Sequence, residues 1–167
     1  AASQSLDVAM VEQQLAAMRV QLLKVRSERP RPMLDDKVLT EWNALMIQAL
    51  AVSGRLPGRE SDLQAAGKAA DFLLTKMRDS DGALVRSWRN DVQGPKAYLD
   101  DYACLVSALL TLHQSTNEER WLLSARELTQ KQLELFYDKD LKTFFFTSQS
   151  HEKLFARNSS PYDSVSP

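Results

Sequence analysis

The sequence contains little cysteine, little glycine and almost no excess of charge of either sign. A single Cys among 167 residues excludes an internal disulfide and a zinc or redox site made from paired cysteines within this chain. The 21 basic and 22 acidic residues give a net charge of −1, so the excess positive charge that attracts nucleic acids and anionic membranes is missing. With 44% hydrophobic and 26% charged residues, the composition fits neither a disordered chain nor a membrane span. We therefore expect a soluble, cytoplasmic globular domain with no nucleic-acid or membrane partner.

Helical periodicity accounts for most of the chain. Residues 6–26 place apolar side chains at alternating steps of four and three, the pattern of an amphipathic helix. Residues 37–53 are apolar on every side after the first two turns, which is typical of a buried helix. The alternation continues with an amphipathic helix over 62–77, a buried helix over 101–113 and an amphipathic helix over 118–136.

Short strands are predicted in the connections between these helices. Residues 83–89 alternate weakly between apolar and polar side chains, as a strand does. Residues 143–147 and 153–157 are predicted to form a small hairpin around His151. Gly54 directly follows the second helix and is predicted to end it in the left-handed conformation.

Two similar four-residue segments open the two buried helices. Leu-Asp-Asp-Lys at 34–37 and Leu-Asp-Asp-Tyr at 99–102 lie about 65 residues apart, and a repeat of this length indicates stacked helical hairpins. In a closed ring of such hairpins, buried helices form an inner circle and amphipathic helices an outer one. The predicted fold class is all-α, a partial toroid in which inner and outer helices alternate, with short β-hairpin segments in the long loops. A plain up-and-down bundle is the competing fold.

The loops that enter the buried helices are the long ones, which places a functional site on that face. On the second helix, Asp36, Thr40 and Asn43 fall at i, i+4 and i+7 and are predicted to form a polar stripe above an apolar floor. A polar stripe above an apolar floor is what a ligand-binding funnel requires. Asp36 and Asp101, one from each inner helix, are the predicted acid and base, facing each other across this funnel. Sugar hydrolysis, for instance, requires two carboxylates about 5–9.5 Å apart. The alternative interpretation is that the Asp residues cap their helices.

Further polar and aromatic residues near the same mouth are predicted to contact a ligand. Aromatic rings there could stack on a sugar, although Trp42 also fits a core position. The Arg86 guanidinium could bind a carboxylate or phosphate, or pair with a neighbouring acid. No metal ion and no cofactor is expected. The predicted substrate-binding residues are Asp35, Trp42, Asn43, Arg86, Trp88, Asp100 and Tyr102.

Three stretches resemble a known family. Residues 31–47, with Leu-Asp-Asp-Lys-Val-Leu-Thr-Glu-Trp-Asn at 34–43, residues 99–103 and residues 144–147 resemble the spermatogenesis-associated protein 20 family, whose members are called thioredoxin domain-containing proteins. The resemblance implies a thioredoxin-like domain followed by an (α/α)6 toroid of the six-hairpin glycosidase type, similar to N-acylglucosamine 2-epimerase. On this basis residues 1–167 correspond to a middle fragment of the toroid, without the thioredoxin-like domain and its redox role.

The motifs and the resemblance lead to two functional hypotheses. In the first, the funnel binds a carbohydrate or a similar polar metabolite. The residues do not decide whether the domain acts as a glycosidase, acts as an isomerase or epimerase, or only binds its ligand. In the second, the toroid is a non-enzymatic interaction or regulatory scaffold. Both chain ends are typical of interior segments of a longer polypeptide, and a processed protein with two frayed tails is the alternative. Because five helices cannot close a ring of six hairpins, we expect exposed apolar flanks that meet the remainder of the toroid, a second fragment or a second copy.

Overall fold

The chain divides into two compact units, 1–35 and 36–167. A computed structural model describes residues 7–149, 151, 157 and 159. In the first unit, helix α1 (Val8–Ser27) begins after Asp7, whose carboxylate accepts a hydrogen bond from the Ala9 N–H at 3.1 Å. None of the residues of α1 is buried. The helix predicted over 6–26 is confirmed where it is described.

Two pairs of helices build the second unit. The inner helices α2 (Thr40–Ser53) and α4 (Leu99–Thr116) pack against each other, while α3 (Glu60–Lys76) packs on α2 and α5 (Glu119–Phe136) packs on α4. The predicted alternation of inner and outer helices is therefore confirmed. No helix in the described part of the chain is long and apolar enough to cross a membrane.

The core lies between these four helices and is rich in small side chains. Alanines at the helix contacts allow the backbones to approach closely, and larger side chains fill the space that remains. Removing this apolar surface from water is the main favourable contribution to folding. Buried apolar residues include Ala44, Ile47, Ala51, Ala66, Ala70, Leu73, Leu105, Ala108, Leu109, Trp121, Ala125 and Leu128.

Among the described residues there are two small antiparallel sheets, one in the connections between helices and one after α5. One sheet has three strands with the second in the middle, and the other has two strands. The strand predicted over 83–89 is confirmed in its last three residues, which form the central strand. The strands are β1 (Val38–Leu39), β2 (Ser87–Arg89) and β3 (Val92–Gln93) in the first sheet, and β4 (Tyr137–Asp138) and β5 (Thr143–Phe144) in the second.

A two-residue turn joins β2 to β3. Asn90 (φ 50°) and Asp91 (φ 60°) both adopt the left-handed conformation that a type I′ turn requires, and these two residue types accept it readily. The turn sets the register in which Trp88 pairs with Gln93. This hairpin is not among the elements predicted from the sequence.

β5 covers the first two residues of the predicted hairpin strand 143–147. Among the described residues its partner is β4, where the rings of Tyr137 and Phe144 lie 5.0 Å apart. Of residues 153–157, only Arg157 is among the described residues, and its guanidinium donates a hydrogen bond to the Thr147 carbonyl at 2.6 Å. The rest of the predicted second strand lies outside the described residues.

α2 begins at Thr40, later than the predicted range of 37–53. The two residues before it extend as β1 because they pair with β2, and the Thr40 N–H donates to the Arg86 carbonyl at 3.0 Å. Asp36 therefore lies before β1 and outside the helix. The predicted helical stripe of Asp36, Thr40 and Asn43 is wrong, because a pairing with residues far along the chain replaces the first turn.

One side of α2 is exposed, so the helix is not buried all round as its apolar pattern predicts; the exposed side agrees with the apolar flanks expected of an incomplete ring. Trp42 and Met46 are each 58% exposed. Apolar residues do cover every side of α2, but within the second unit only the sides facing α3 and α4 are buried.

Gly54 ends α2 for a different reason from the one predicted. Its φ of −67° is right-handed, and the left-handed cap occurs instead at Asn117 (φ 58°), after α4. Glycine is required at position 54 because Leu63 leaves no space there for a side chain. A Cβ there would lie 2.7 Å from Leu63 Cβ and 2.8 Å from Leu63 N.

We expect Gly54→Ala to lower the free energy of unfolding by about 1–3 kcal/mol, because the added methyl overlaps the Leu63 backbone. Gly67→Ala is the matched control. Its added Cβ would meet Trp121 at 3.8 Å, an ordinary contact, and alanine favours the helix interior by about 1 kcal/mol, so stability should rise. Urea denaturation of both variants measures the difference, and equal effects would contradict the close approach at Gly54.

Candidate functional site

One buried carboxylate joins the N-termini of the inner helices. Asp101 accepts a hydrogen bond from the Glu41 N–H at 3.1 Å on Oδ1, and another from the Tyr98 N–H at 2.9 Å on Oδ2. Its side chain is wholly buried. The first N–H groups of a helix have no partner within the helix, so this single side chain satisfies one backbone donor at the start of α2 and one just before α4.

Arg86 brings a positive charge to this junction. Its Nη1 lies 3.2 Å from Asp101 Oδ2 and 3.6 Å from Asp100 Oδ1, and its Nη2 lies 3.9 Å from Glu41 Oε2. Oxygen atoms of the three carboxylates lie within 4.8 Å of one another. The guanidinium therefore offsets a repulsion that is strong in a buried environment. We call Glu41, Arg86, Asp100 and Asp101 the acid–arginine cluster.

Burial changes the protonation of this cluster. It raises the pKa of Asp101 from 3.8 to about 6, against the opposing effects of the N–H donors and Arg86. It also raises the pKa of Asp100, with the charge of Glu41 acting in the same direction. Burial by itself lowers the pKa of Arg86, but the carboxylates outweigh it and raise that pKa, so the guanidinium stays charged.

The three carboxylates are also the residues that could hold a metal ion. Their spacing suits a hard divalent cation such as Mg²⁺ or Ca²⁺, which prefers oxygen ligands. Arg86 already approaches all three, and Asp101 uses both oxygens to accept backbone hydrogen bonds. No metal ligands are predicted from the sequence.

An aromatic stack holds the start of α4. The Tyr98 ring stacks on the rings of Phe146 and His151, with centroids 5.0 Å away in both cases. The Arg86 guanidinium lies 4.9 Å from the Tyr98 ring centroid. The Phe146 carbonyl accepts a hydrogen bond from the Leu99 N–H at 3.1 Å. The chain that follows α5 thus supports the cluster from one side.

Of the predicted site residues, the structure brings Arg86, Asp100 and Asp101 together. The side chains of Arg86 and Asp100 are 29% and 17% exposed, so a ligand can reach them. Asp100 Oδ1 accepts the Asp101 N–H at 2.9 Å, while its Oδ2 is buried without a hydrogen-bond partner among the described residues.

Asp36 lies apart from these residues in its interactions. Its carboxylate forms an ion pair with Arg89, and both side chains are about half exposed. Asp36 pairs with Arg89, whereas Asp101 pairs with Arg86. The acid and base roles of the two carboxylates stay predictions. Asp35 is exposed.

The remaining predicted ligand contacts have mainly structural surroundings. The Asn43 amide donates to the Leu39 carbonyl at 2.8 Å, within the start of α2. The Trp88 ring meets Phe72 edge-on at 5.2 Å. Tyr102 is 1% exposed, and its hydroxyl accepts a backbone N–H in the core, so it has no free surface to offer a ligand. Trp42 does have an exposed ring.

Glu41 and Tyr98 are not among the site residues predicted from the sequence. Glu41 stands in an otherwise apolar helix, and a buried ionisable residue requires a partner. Tyr98 stands three residues before Asp101, the spacing at which an acidic side chain returns to the backbone N–H before a helix. These two signals together would have identified the cluster.

We expect Arg86→Met to lower the free energy of unfolding by about 2–4 kcal/mol, because three neighbouring carboxylates lose their cation. Arg89→Met removes a more exposed ion pair, with Asp36, and should cost about 1 kcal/mol or less. Asp100→Asn in the Arg86→Met background should restore part of the loss by removing a like charge. Equal losses for Arg86→Met and Arg89→Met in urea denaturation would contradict the cluster.

Stability should also depend on pH through Asp101. Its folded pKa of about 6 lies above the ordinary 3.8, so the folded state holds a proton that unfolding releases. This contribution is fully present below about pH 4 and is lost as the pH rises through about 6. The wild-type stability minus that of Asp101→Asn, from urea midpoints between about pH 4 and 7, should fall with pH. A difference that is flat or rises would show that Asp101 stays ionised in the fold.

Comparison with known proteins places these features in context. No family model matches the chain. It is 34% identical to human spermatogenesis-associated protein 20 over 154 residues, which cover 87% of this chain and 20% of that protein. The mouse protein of the same name is 35% identical over 147 residues, covering 83% and 19%. The chain therefore spans about a fifth of the length of the curated relatives it matches.

Among solved structures, cellobiose 2-epimerase from Bacillus thermoamylovorans has a similar fold. The TM-score is 0.62 at 14% identity, over 68% of this chain and 33% of the epimerase chain. This likeness shows the fold, a partial α/α toroid, as predicted. The predicted family resemblance is also confirmed: over most of its length, this chain is homologous to a segment of the proteins named spermatogenesis-associated protein 20.

Proposed function

We propose that this part of the toroid binds a carbohydrate or a similar hydroxylated metabolite at the acid–arginine cluster, with Arg86 and Asp100 in contact with the ligand. The observation that carries the proposal is the partly exposed pair of Arg86 and Asp100, whose side chains are 29% and 17% exposed and whose Nη1 and Oδ1 atoms lie 3.6 Å apart. This pair places a cation beside a carboxylate, and a ligand with hydroxyl groups can donate to the carboxylate and accept from the cation.

The neighbouring Arg86 suits the same kind of ligand. Its guanidinium is 29% exposed and carries several N–H donors, which can bind the oxygen of the same or the next hydroxyl. A pair of adjacent acceptor and donor groups matches a sugar, whose hydroxyls both donate and accept. The cellobiose 2-epimerase with a similar fold is named for a sugar, which supports the choice of ligand class.

Asp101 is proposed as the residue that positions Arg86 and not as a ligand contact. It is wholly buried, and its two oxygens accept the N–H groups of Glu41 and Tyr98. Because its pKa is about 6, Asp101 holds a proton below about that pH. Asp101 itself is buried, so a proton exchanged with a bound hydroxyl would pass through Asp100, the carboxylate that is partly exposed. Asp36, beside Arg89, is the second predicted acid–base group.

A non-enzymatic scaffold is the second candidate function. The favouring observation is that Asp101 fulfils the structural role of joining two helices. In that case the cluster stabilises the toroid and no small molecule is recognised there.

A thermal-shift screen of the full-length protein against monosaccharides, disaccharides and sugar phosphates tests the proposal. A ligand at a hundred times its Kd adds about 2.7 kcal/mol of stability, which corresponds to a Tm increase of several degrees. We expect Asp100→Asn to weaken ligand affinity at least tenfold and so to reduce the Tm shift. Asp71→Asn, which alters an exposed pair with Arg120 on the outer helix α3, is the control and should leave affinity unchanged.

Two results would overturn the assignment. If no saccharide raises the Tm, the scaffold function is favoured. If a saccharide raises the Tm and Asp36→Asn abolishes the effect while Asp100→Asn does not, the ligand binds beside Asp36 and Arg89 instead of at the cluster.

A further inference from the structure

Positive charge is concentrated at the C-terminal end of α1. Residues 19–31 contain five basic residues and a single acidic residue, Glu28, which gives this segment a net charge of +4 in a chain whose total is −1. The acidic Asp7 and Glu12 lie at the start of the helix, so the excess of positive charge is confined to its end and to the segment that follows. A local excess of this kind attracts anions even when the whole chain is nearly neutral.

Three of the basic residues surround one surface cavity. The cavity has a volume of about 760 Å³, which lies in the range of small-molecule sites, and it is formed by the last turn of α1 and the residues after it. Its charged groups are the guanidiniums of Arg26, Arg29 and Arg31, and none of the described residues that line it is acidic. Leu23, Met33 and Leu34 add apolar surface. We call it the arginine cavity.

The arginines of this cavity differ from most arginines of the second unit. Arg26, Arg29 and Arg31 form no ion pair with any residue in the described part of the chain. Like charges that lie close together without acidic partners repel one another, and a bound anion relieves this repulsion. The arginines of the second unit that do form an ion pair are Arg59, Arg78, Arg86, Arg89 and Arg120.

The helix dipole explains only part of this charge. Lys24 and Arg26 lie in the last turn of α1, and together they already exceed the roughly half a negative charge at a helix C-terminus. Arg29 and Arg31 lie beyond the C-cap and need another partner. Each directly precedes a proline, which restricts its backbone to extended conformations. A stiff segment thus presents these two guanidiniums, which lowers the entropy lost when a ligand binds.

We propose that the arginine cavity binds a phosphorylated small molecule, with its phosphate held by Arg29 and Arg31 and its apolar part against Met33 and Leu34. A guanidinium matches a phosphate with two parallel hydrogen bonds. A phosphate monoester carries close to two negative charges at neutral pH, which suits two arginines, whereas a carboxylate carries only one. The apolar lining favours an ester with a ring or alkyl group over inorganic phosphate. The inference does not depend on the proposed function, since no residue of the acid–arginine cluster takes part.

Isothermal titration calorimetry of the full-length protein with phenyl phosphate tests this inference. Phenyl phosphate joins a phosphate to an apolar ring and has no sugar hydroxyls. We expect it to bind, and its affinity to fall as the NaCl concentration rises. Arg29→Gln or Arg31→Gln should weaken the affinity at least about tenfold, because charge-assisted hydrogen bonds are lost. Arg19→Gln is the matched control, an exposed charge on α1 outside the cavity, and should change the affinity less than about twofold.

Three results would overturn the inference. No binding of phenyl phosphate up to millimolar concentration would assign these arginines to ion pairs with other segments of the longer polypeptide. Equal losses in Arg29→Gln and Arg19→Gln would show attraction by overall charge without a site. Inorganic phosphate that binds as tightly as phenyl phosphate would contradict the apolar contact. Circular dichroism checks that each variant is folded, and Arg31→Lys, which keeps the charge but loses the paired hydrogen bonds, should give an intermediate affinity.

Discussion

The carboxylate of Asp101 is the interaction on which the arrangement of the inner helices depends. It accepts N–H groups from both helix starts, and it is the acidic partner closest to Arg86. Apolar packing between α2 and α4 is not directional and would tolerate sliding of one helix along the other. The hydrogen bonds from Glu41 and Tyr98 fix this axial position. Without them, the three carboxylates and Arg86 would not converge at one end of the helix pair.

Such a junction carries a cost that the surrounding structure has to offset. Buried carboxylates lose their hydration, and this loss is the main reason why the pKa of Asp101 is raised. Part of the compensation comes from the neutral backbone donors, and part from Arg86. Support also comes from the aromatic stack on Tyr98, which is built by residues far along the chain. The cluster therefore specifies the geometry of the helix starts more than it adds to stability.

The local sequence was sufficient to predict the helices, their alternation and three residues that the fold brings together, Arg86, Asp100 and Asp101, because periodicity and the repeated Asp pair are properties of short segments. It was insufficient where distant residues decide the conformation. Val38 and Leu39 are predicted to be helical, but they pair with β2 and form strand β1. Glu41 looked like one charge in an apolar helix until Asp101 and Arg86 were placed beside it. Gly54 seemed to require a left-handed backbone, whereas Leu63, from the next helix, requires the absence of a side chain.

The pairing of β2 with β1 has a consequence for the charge of the site. Side chains alternate between the two faces of a strand, so a shift of β2 by one residue against β1 would reverse the side chains of β2 and of the residues entering it. Arg86 directly precedes β2 and would then point away from the carboxylates. Its backbone is held on both sides, because its carbonyl accepts the Thr40 N–H at 3.0 Å and its N–H donates to the Pro95 carbonyl at 2.8 Å. The direction of the one positive charge in the acid–arginine cluster is thus set by main-chain hydrogen bonds of a short sheet.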